Sequence, residues 1–398
     1  MKKISIVLVI SFVSLFSVSA QSKIETILSQ FHADSLKKTV EDLVGFDNRL
    51  CNKTIGNNKT AAQYIMQRLN SYGIENAAMD SFFVSAHHFL VGDVSQDMYN
   101  VRSRLSGSIN PDSIAIIGAH LDAISYDANY KIQNTTPGAN DNATGVAVMI
   151  EIARIFHANQ LIPKYSIDFM AYDAEEIGLY GSRYDAQKRK DANENIFVML
   201  NNDMVGLQTK EDNEWKVTFH GQIEAQDIEN KAVAICREYT LLHPYIPDNK
   251  DSSYRNSDSW AYRERGFRTF YTHEYEEDPH YHTIYDTPER LNYHYMAEIA
   301  KLHFSLLYDF AIENVIETGI HKFSFTAPVF ALYPNPTDGQ LKIKNYKLIE
   351  NAEYSIYNVV GQIIMQGALQ SNTINVESLT SGMYFLKVGN KTVRFVKE

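Results

Sequence analysis

Helical and extended patterns of apolar residues alternate along most of the chain. Residues 22–44 and 58–70 repeat apolar positions at helical spacing, and Ala61, Ile65 and Leu69 form one stripe. Further along, the predicted strands are 114–117, 166–171, 196–201 and 267–271, and the predicted helices are 146–155, 228–239 and 289–312. This alternation predicts an α/β fold, in which a mainly parallel mixed sheet is sandwiched by helices.

The helical periodicity is lost after about residue 316, and short alternating strands separated by turn residues follow. The predicted strands are 341–343, 354–357, 362–365, 384–388 and 392–396. Short strands of this kind are typical of a small β-sandwich. The sequence therefore predicts a main domain over 21–316, a linker over 317–331 and a C-terminal β-sandwich over 332–398.

The first twenty residues have the pattern of a signal peptide. Lys2 and Lys3 precede an apolar run over 4–18, and residues 18–20 offer the small side chains that a signal peptidase needs. The run is shorter than the roughly 20 apolar residues of a transmembrane helix, and no later run is long enough. We therefore expect a secreted protein without a transmembrane segment in its mature chain.

The composition of the chain argues against a nucleic-acid-binding protein and against a cysteine-based scaffold or metal site. The chain has 398 residues, and 37 Lys and Arg against 48 Asp and Glu give a formal net charge of -11. This balance argues against a nucleic-acid partner, since phosphate neutralisation needs a clustered basic surface. The two cysteines, Cys51 and Cys236, are too few for a disulfide scaffold or a Cys-based zinc site, and the sequence does not decide whether they pair.

Acidic residues and histidine follow directly after the predicted strands. They are His120 and Asp122, then Asp173, Glu175 and Glu176, then Asp203. In parallel sheets ligands bind beyond the carboxyl ends of the strands, and oxygen and imidazole ligands together suit zinc. Taken singly, each of these short stretches also has an ordinary structural explanation instead of metal binding. Its acidic residue could form a turn, cap a helix, or belong to an acidic pair in the first turn of a helix.

Five stretches of the chain, in this order, resemble peptidase family M28, the two-zinc aminopeptidases. They are Gly-Ala-His-Leu-Asp at 118–122, Gly-Ala-Asn-Asp-Asn-Ala-Thr-Gly at 138–145, Ala-Glu-Glu-Ile-Gly-Leu-Tyr-Gly-Ser at 174–182, Asn-Asn-Asp-Met-Val-Gly at 201–206 and His-Thr-Ile-Tyr-Asp-Thr at 282–287. The resemblance covers about residues 100–315. It implies a zinc exopeptidase fold, two zinc ions per chain and hydrolysis of the N-terminal bond of peptide substrates by a zinc-activated water.

The resemblance also implies a role for each matched residue. Asp141 would bridge both ions, and the outer ligands would be His120, Glu176, Asp203 and His282. Glu175 would be the general base. Because His120 and Asp122 are two positions apart, they share a side in extended backbone, so Asp122 can accept the second ring N–H of His120. In the same extended backbone the adjacent Glu175 and Glu176 would point to opposite sides.

Two assignments depend on the motif match rather than on spacing. Four histidines are candidates for the last metal ligand: His273, His280, His282 and His294. His282 is chosen because Thr-Ile-Tyr-Asp-Thr follows it, as in the family pattern. The segment Tyr-Arg-Asn-Ser-Asp-Ser-Trp at 254–260 resembles the family's Tyr and Ser-Asp segment, which implies that Tyr254 donates to the developing oxyanion. The cysteine pair that flanks this tyrosine in some relatives is absent.

The tail resembles the C-terminal sorting domains of bacterial type IX secretion. The similarity lies in Tyr-Pro-Asn-Pro at 333–336 and Gly-Met-Tyr-Phe-Leu-Lys-Val at 382–388. It implies recognition by the outer-membrane secretion machinery, and a secreted or cell-surface protein that passes through the periplasm of a Gram-negative bacterium. A carbohydrate- or substrate-binding sandwich is the alternative for this tail.

For the whole chain, two alternative functions remain open. One is a glutaminyl cyclase-like enzyme with a single zinc, and the other is a catalytically silent peptide-binding protein on the same fold.

Overall fold

The computed structural model describes residues 23–51, 56–74, 76–248, 255–313, 331–344, 352–358, 362–388 and 391–398. The chain divides into two compact units, residues 1–316 and 317–398. The signal peptide expected at 1–20, Tyr254, and all but the last residue of the expected linker lie outside the described residues. None of the helices in the described part of the chain combines the length and the apolar character needed to cross a membrane.

The first unit is built on a mixed eight-stranded sheet. Its strands are β1 (Ala78–His88), β2 (Gly92–Leu105), β3 (Asn110–His120), β4 (Tyr165–Tyr172), β5 (Asn195–Asn202), β6 (Lys216–Gly221), β7 (His243–Tyr245) and β8 (Thr269–Glu274), in the spatial order β1-β2-β4-β3-β5-β8-β6-β7. The four central strands β4, β3, β5 and β8 run parallel, and the antiparallel pairs are β1–β2, β2–β4 and β6–β8. The prediction of a mainly parallel mixed sheet is confirmed.

Helices cover both faces of this sheet. They are α1 (Ala33–Val44), α2 (Asn58–Ser71), α3 (Thr144–Ala158), α4 (Tyr180–Asp191), α5 (Gln226–Tyr239), α6 (Asp258–Arg263) and α7 (Tyr293–Tyr308). Successive side chains of β3 point to opposite faces. Ala115 and Ile117 join the larger core with α1, α3 and α7, whereas Ile114 and Ile116 join a smaller core with Ala186 of α4.

Two segments are helical over fewer residues than their sequence pattern spans. The segment 22–44, which repeats apolar positions at helical spacing, is helical over 23–28 and again in α1, with a turn between. The last helix begins at Tyr293 rather than at residue 289, because the side chain of Asn292 accepts the backbone N–H of Tyr295 and caps it there. The regular part of that helix ends at Tyr308.

The second unit consists of two antiparallel sheets around a core of its own. Its strands are β9 (Ala331–Tyr333), β10 (Gln340–Lys344), β11 (Glu353–Asn358), β12 (Ile363–Ala368), β13 (Thr373–Asn375), β14 (Gly382–Val388) and β15 (Lys391–Lys397). The sheet orders are β13-β10-β9 and β12-β11-β14-β15. Leu341 and Ile374 of the first sheet share that core with Ile356, Leu386 and Phe395 of the second.

Candidate metal centre

Three parallel strands deliver acidic and imidazole side chains to one edge of the sheet. β3 ends at His120, β4 is followed by Glu175 and Glu176, and β5 is followed by Asp203. Two further ligand candidates come from loops: Asp141 precedes α3, and His282 lies between β8 and α7. The edge therefore gathers residues that are far apart along the chain.

Asp141 lies between the two histidines. Its Oδ1 is 3.0 Å from Nε2 of His120, and its Oδ2 is 3.1 Å from Nε2 of His282. On the first side, Nε2 of His120 is also 3.3 Å from Oδ1 of Asp203. On the second side, Nε2 of His282 is 2.9 Å from Oε2 of Glu176. The arrangement is two histidine–carboxylate pairs that share one carboxylate.

The donor set fits divalent cations. Oε1 of Glu176 is buried and has no hydrogen-bond partner among the described residues, and Nε2 of His282 lies against the oxygens of Glu176 and Asp141 without forming a hydrogen bond of normal angular geometry with either. Buried polar atoms are rarely left unpaired, so these two atoms indicate a bound group that they are aimed at. Carboxylate and imidazole ligands without thiolates are typical of catalytic zinc sites. The residues present therefore fit the zinc that the resemblance to the family implies.

The site is electrostatically crowded. Burial raises the pKa of Glu176 to about 7. Burial also raises the pKa of Glu175 well above its ordinary value, although the charge of His120 opposes this. Burial lowers the pKa of His282, but the charge of Glu176 and the contact with Asp141 outweigh it and raise that pKa to about 11. So many acids within one buried cluster need cations to offset their repulsion.

The carboxylate of Asp122 holds the backbone of the two glutamates. Its Oδ1 accepts the N–H of Glu175 at 3.1 Å, and its Oδ2 accepts the N–H of Glu176 at 3.2 Å. Nδ1 of His120 is 3.6 Å from Oδ1 of Asp122 and is closer, at 3.2 Å, to the backbone carbonyl of that residue. Asp122 thus contacts both His120 and the acidic turn.

The turn that carries Glu175 and Glu176 differs from the extended backbone expected there. The preceding Ala174 has a φ of 61°, in the left-handed region, so the chain bends as it leaves β4. Both glutamate side chains consequently line the same cavity, together with His120, Asp141 and Asp203. Glu175 has a carboxylate oxygen within 4.8 Å of ligand atoms of His120 and Asp203, and Glu176 lies against His282.

Residues for which the sequence predicted no role hold the proposed ligands in place. Oδ1 and Oδ2 of Asp286 accept the N–H groups of Asn140 and Asp141, at 2.7 and 3.0 Å. Ser257 donates its hydroxyl to Oδ2 of Asp203 at 2.7 Å. Ser257 and Asp286 both lie within family-like motifs, at 254–260 and 282–287. Their membership of those motifs is the sequence feature that could have indicated a role for them.

No pattern in the sequence indicated a role for Arg49 near the proposed metal centre. Its guanidinium is buried and donates to the backbone carbonyls of Leu121, Pro137 and Gly138, at 2.9, 2.8 and 2.7 Å. Burial lowers the pKa of this guanidinium to about 10. Arg49 therefore joins the loop after His120 to the loop that leads to Asp141.

Most of the other candidate residues from the sequence lie within the part of the chain that the structure describes. His282 is the histidine that lies against Asp141, whereas the ring of His280 faces Tyr285 and His273 lines the cavity wall. Tyr254 lies outside the described residues, and nearby Asn256 lines the cavity. The cavity has a volume of about 320 Å³. Cys51 and Cys236 are both buried and unpaired with each other.

Solved structures with this fold include LapB of Legionella pneumophila and a glutaminyl cyclase of Bacteroides thetaiotaomicron. LapB is 22% identical with a TM-score of 0.57, over 73% of this chain and 75% of LapB. The cyclase is 20% identical with a TM-score of 0.56, over 70% of this chain and 98% of the cyclase. At these identities the likeness establishes the fold alone.

Curated relatives add a family context. A probable zinc metalloprotease of Pyrenophora tritici-repentis is 30% identical over 197 residues, 47% of this chain and 40% of that protein. A probable leucine aminopeptidase of Arthroderma benhamiae is 24% identical over 312 residues, 75% of this chain and 79% of that protein. The chain thus spans less than half the length of the first of these relatives.

Family models cover both units. Residues 331–398 match the secretion system C-terminal sorting domain. Residues 100–307, which include every proposed metal ligand, match the model of peptidase family M28. This match extends over more than half of the chain, and the chain therefore belongs to peptidase family M28.

Proposed function

We propose that this protein is a secreted aminopeptidase that uses two zinc ions to hydrolyse the N-terminal peptide bond of peptides. The observation that carries the proposal is the position of Asp141, whose two oxygens face two separate histidine–carboxylate pairs. One ion would be held by His120, Asp203 and Asp141. The other would be held by His282, Glu176 and Asp141. When bound, zinc supplies Lewis-acid polarisation of a carbonyl and lowers the pKa of water.

Glu175 is the proposed general base. Its side chain lines the cavity beside the His120–Asp203 pair and makes no ion pair with Lys or Arg among the described residues. Burial raises the pKa of this carboxylate, which makes it a stronger base near neutral pH. In the proposed reaction Glu175 takes a proton from the attacking water and returns it to the leaving amine. The N–H hydrogen bonds to Asp122 keep its backbone fixed while the proton moves.

The surroundings of the site support removal of single N-terminal residues. Glu176 and Asp203 lie at the two ends of the ligand set, where a free α-amino group would find a negative partner. The cavity of about 320 Å³ is near the lower end of ligand pockets, about 300–1,000 Å³, so it suits one residue rather than a long peptide.

The C-terminal unit is proposed to act in export. Its match to the sorting-domain family supports recognition by the outer-membrane machinery of a Gram-negative bacterium, with an extracellular or cell-surface destination. All the proposed ligands lie in residues 120–282, so the tail contributes none of them. Catalysis and export would then reside in separate units of the chain.

A glutaminyl cyclase with one zinc is the second candidate, because a solved cyclase shares this fold. The two candidates differ in metal content and in product. The test is to purify the secreted protein, count zinc per chain, and assay aminoacyl 4-nitroanilides, their N-acetylated counterparts and a peptide with N-terminal Gln. We expect two zinc ions, hydrolysis of the free amines only, and loss of turnover on chelation. One zinc and conversion of the Gln peptide to pyroglutamate would instead identify a cyclase.

A further inference from the structure

The wall of the metal-centre cavity places the carboxylate of Glu277 beside the aromatic rings of Tyr271 and Tyr281. Beyond the proposed ligands, Glu175 and Met204, the residues that line the cavity are Asn256, Tyr271, His273, Glu277, Asp278 and Tyr281. Met204 is the one aliphatic side chain among the described residues that line it. The name of the Arthroderma benhamiae relative refers to leucine, but the carboxylate of Glu277 in this lining has no counterpart on a leucine side chain.

Glu277 is the middle residue of three consecutive acidic residues, and both of its neighbours already have hydrogen-bond or ion-pair partners. Glu276 accepts the hydroxyl of Thr209 at 2.6 Å and its backbone N–H at 3.3 Å. Asp278 pairs with Arg290 at 2.9 Å and accepts the side-chain amide of Asn140 at 3.1 Å. Glu277 is exposed, faces the cavity, and forms no hydrogen bond or ion pair with any residue that the structure describes. Its charge is thus available to a bound molecule.

We propose that Glu277 selects substrates whose N-terminal residue carries a cationic side chain, lysine or arginine. This inference rests on the proposed function, since it places the N-terminal residue in the cavity. A lysine ammonium or an arginine guanidinium would pair with Glu277, and the rings of Tyr271 and Tyr281 would contact its aliphatic stem. An aliphatic side chain would instead remove water from Glu277 without offering it a partner, which is unfavourable.

The test compares substrates that differ in one charge. Norleucine keeps the unbranched carbon chain of lysine and lacks the ammonium group. The kcat/KM values of lysyl, arginyl, norleucyl and leucyl 4-nitroanilides are measured on the zinc-loaded, full-length secreted protein. We expect the wild-type protein to favour lysine over norleucine. The lysine-to-norleucine ratio should fall about two- to fivefold in Glu277→Gln, the range of an exposed ion pair. Glu277→Lys should favour a glutamyl over a lysyl substrate.

Glu276→Gln is the matched control. It removes the same charge one position away, but Glu276 is held by Thr209 and does not line the cavity. Its lysine-to-norleucine ratio should equal that of the wild type. The inference is overturned if the wild-type protein favours norleucine and leucine, or if Glu277→Gln leaves the ratio unchanged. Hydrolysis of leucyl or norleucyl substrates in those cases would leave the proposed function standing. Turnover of none of the four would overturn the proposed function, and this inference with it.

Discussion

Sγ of Cys51 lies 3.2 Å from Oδ2 of Asp122, at the buried side of the metal centre. The same carboxylate accepts the backbone N–H groups of Glu175 and Glu176. Burial and the neighbouring acids raise the pKa of Cys51 well above its ordinary value, so the thiol keeps its proton and can donate it. Cys51 is therefore connected, through one carboxylate, to the turn that carries the proposed base.

This connection predicts that Cys51→Ala impairs catalysis more than substrate binding. Loss of one donor to a buried carboxylate costs about 0.5–1.5 kcal/mol, so kcat should fall about two- to tenfold while KM stays near the wild-type value. Cys51→Ser keeps a donor and should recover most of kcat. The control is Cys236→Ser, which changes the other buried cysteine, located on α5. A Cys51→Ala variant with wild-type kcat would show that the thiol serves packing only.

Asp286 supports a prediction about metal affinity. Its two oxygens accept the N–H groups of Asn140 and Asp141, so it orients the shared ligand without facing the cavity. Asp286→Asn leaves one acceptor oxygen in place of two, and loss of such a support typically lowers metal affinity about 10- to 100-fold. Zinc affinity is measured by competition with a chromophoric chelator. Wild-type affinity in this variant would contradict the supporting role of Asp286.

Four of the five proposed ligands could be predicted to lie together because each follows a strand or precedes a helix within a short motif, whereas His282, in the loop between β8 and α7, was chosen on its motif alone. Parallel strands bring such positions to one edge, whatever their separation in sequence. Arg49 could not be predicted, since three of its side-chain hydrogen bonds reach carbonyls 72 to 89 positions away. The bend at Ala174 was also missed, because an alanine with positive φ has no signature in composition or periodicity.

The β1–β2 hairpin was missed for a different reason. It lies at the edge of the sheet, and its strands carry many polar residues, with a burial pattern that alternates only in part. Phe83 of β1 is 63% exposed, so even its large apolar residues do not all mark a core face. The central strands β3 and β4 are buried on both faces and were recognised from continuous apolar runs.

The separate core of the C-terminal unit predicts that the tail can be removed without loss of catalysis. Leu341, Ile356 and Phe395 belong to a cluster that shares no member with the core of the first unit. A chain ending at residue 316 should keep its kcat/KM, and the producing bacterium should retain that chain inside the cell. The measurements are kinetics of the purified truncated chain and its distribution between cells and medium. Secretion of the truncated chain would exclude a sorting role for the tail.

Glu175 and Glu176 are neighbours in the chain, and their proposed roles predict opposite results for the same substitution. Oε2 of Glu176 lies 2.9 Å from Nε2 of His282, and its Oε1 is buried without a hydrogen-bond partner among the described residues, as a metal ligand would be. Glu176→Gln removes a charge from the ligand set and should lower the zinc content of the purified protein.

Glu175→Gln should leave the zinc content near the wild-type value, because Glu175 is proposed to move a proton rather than to hold an ion. The rate should still fall about 10²- to 10⁴-fold, the usual contribution of general acid–base catalysis. KM should change little, since the lost interaction belongs to the transition state. Zinc is measured by elemental analysis beside steady-state kinetics, and each variant is the control for the other. If Glu175→Gln loses zinc and Glu176→Gln retains it, the two roles are exchanged, and the base would lie next to His282 instead of next to the His120–Asp203 pair.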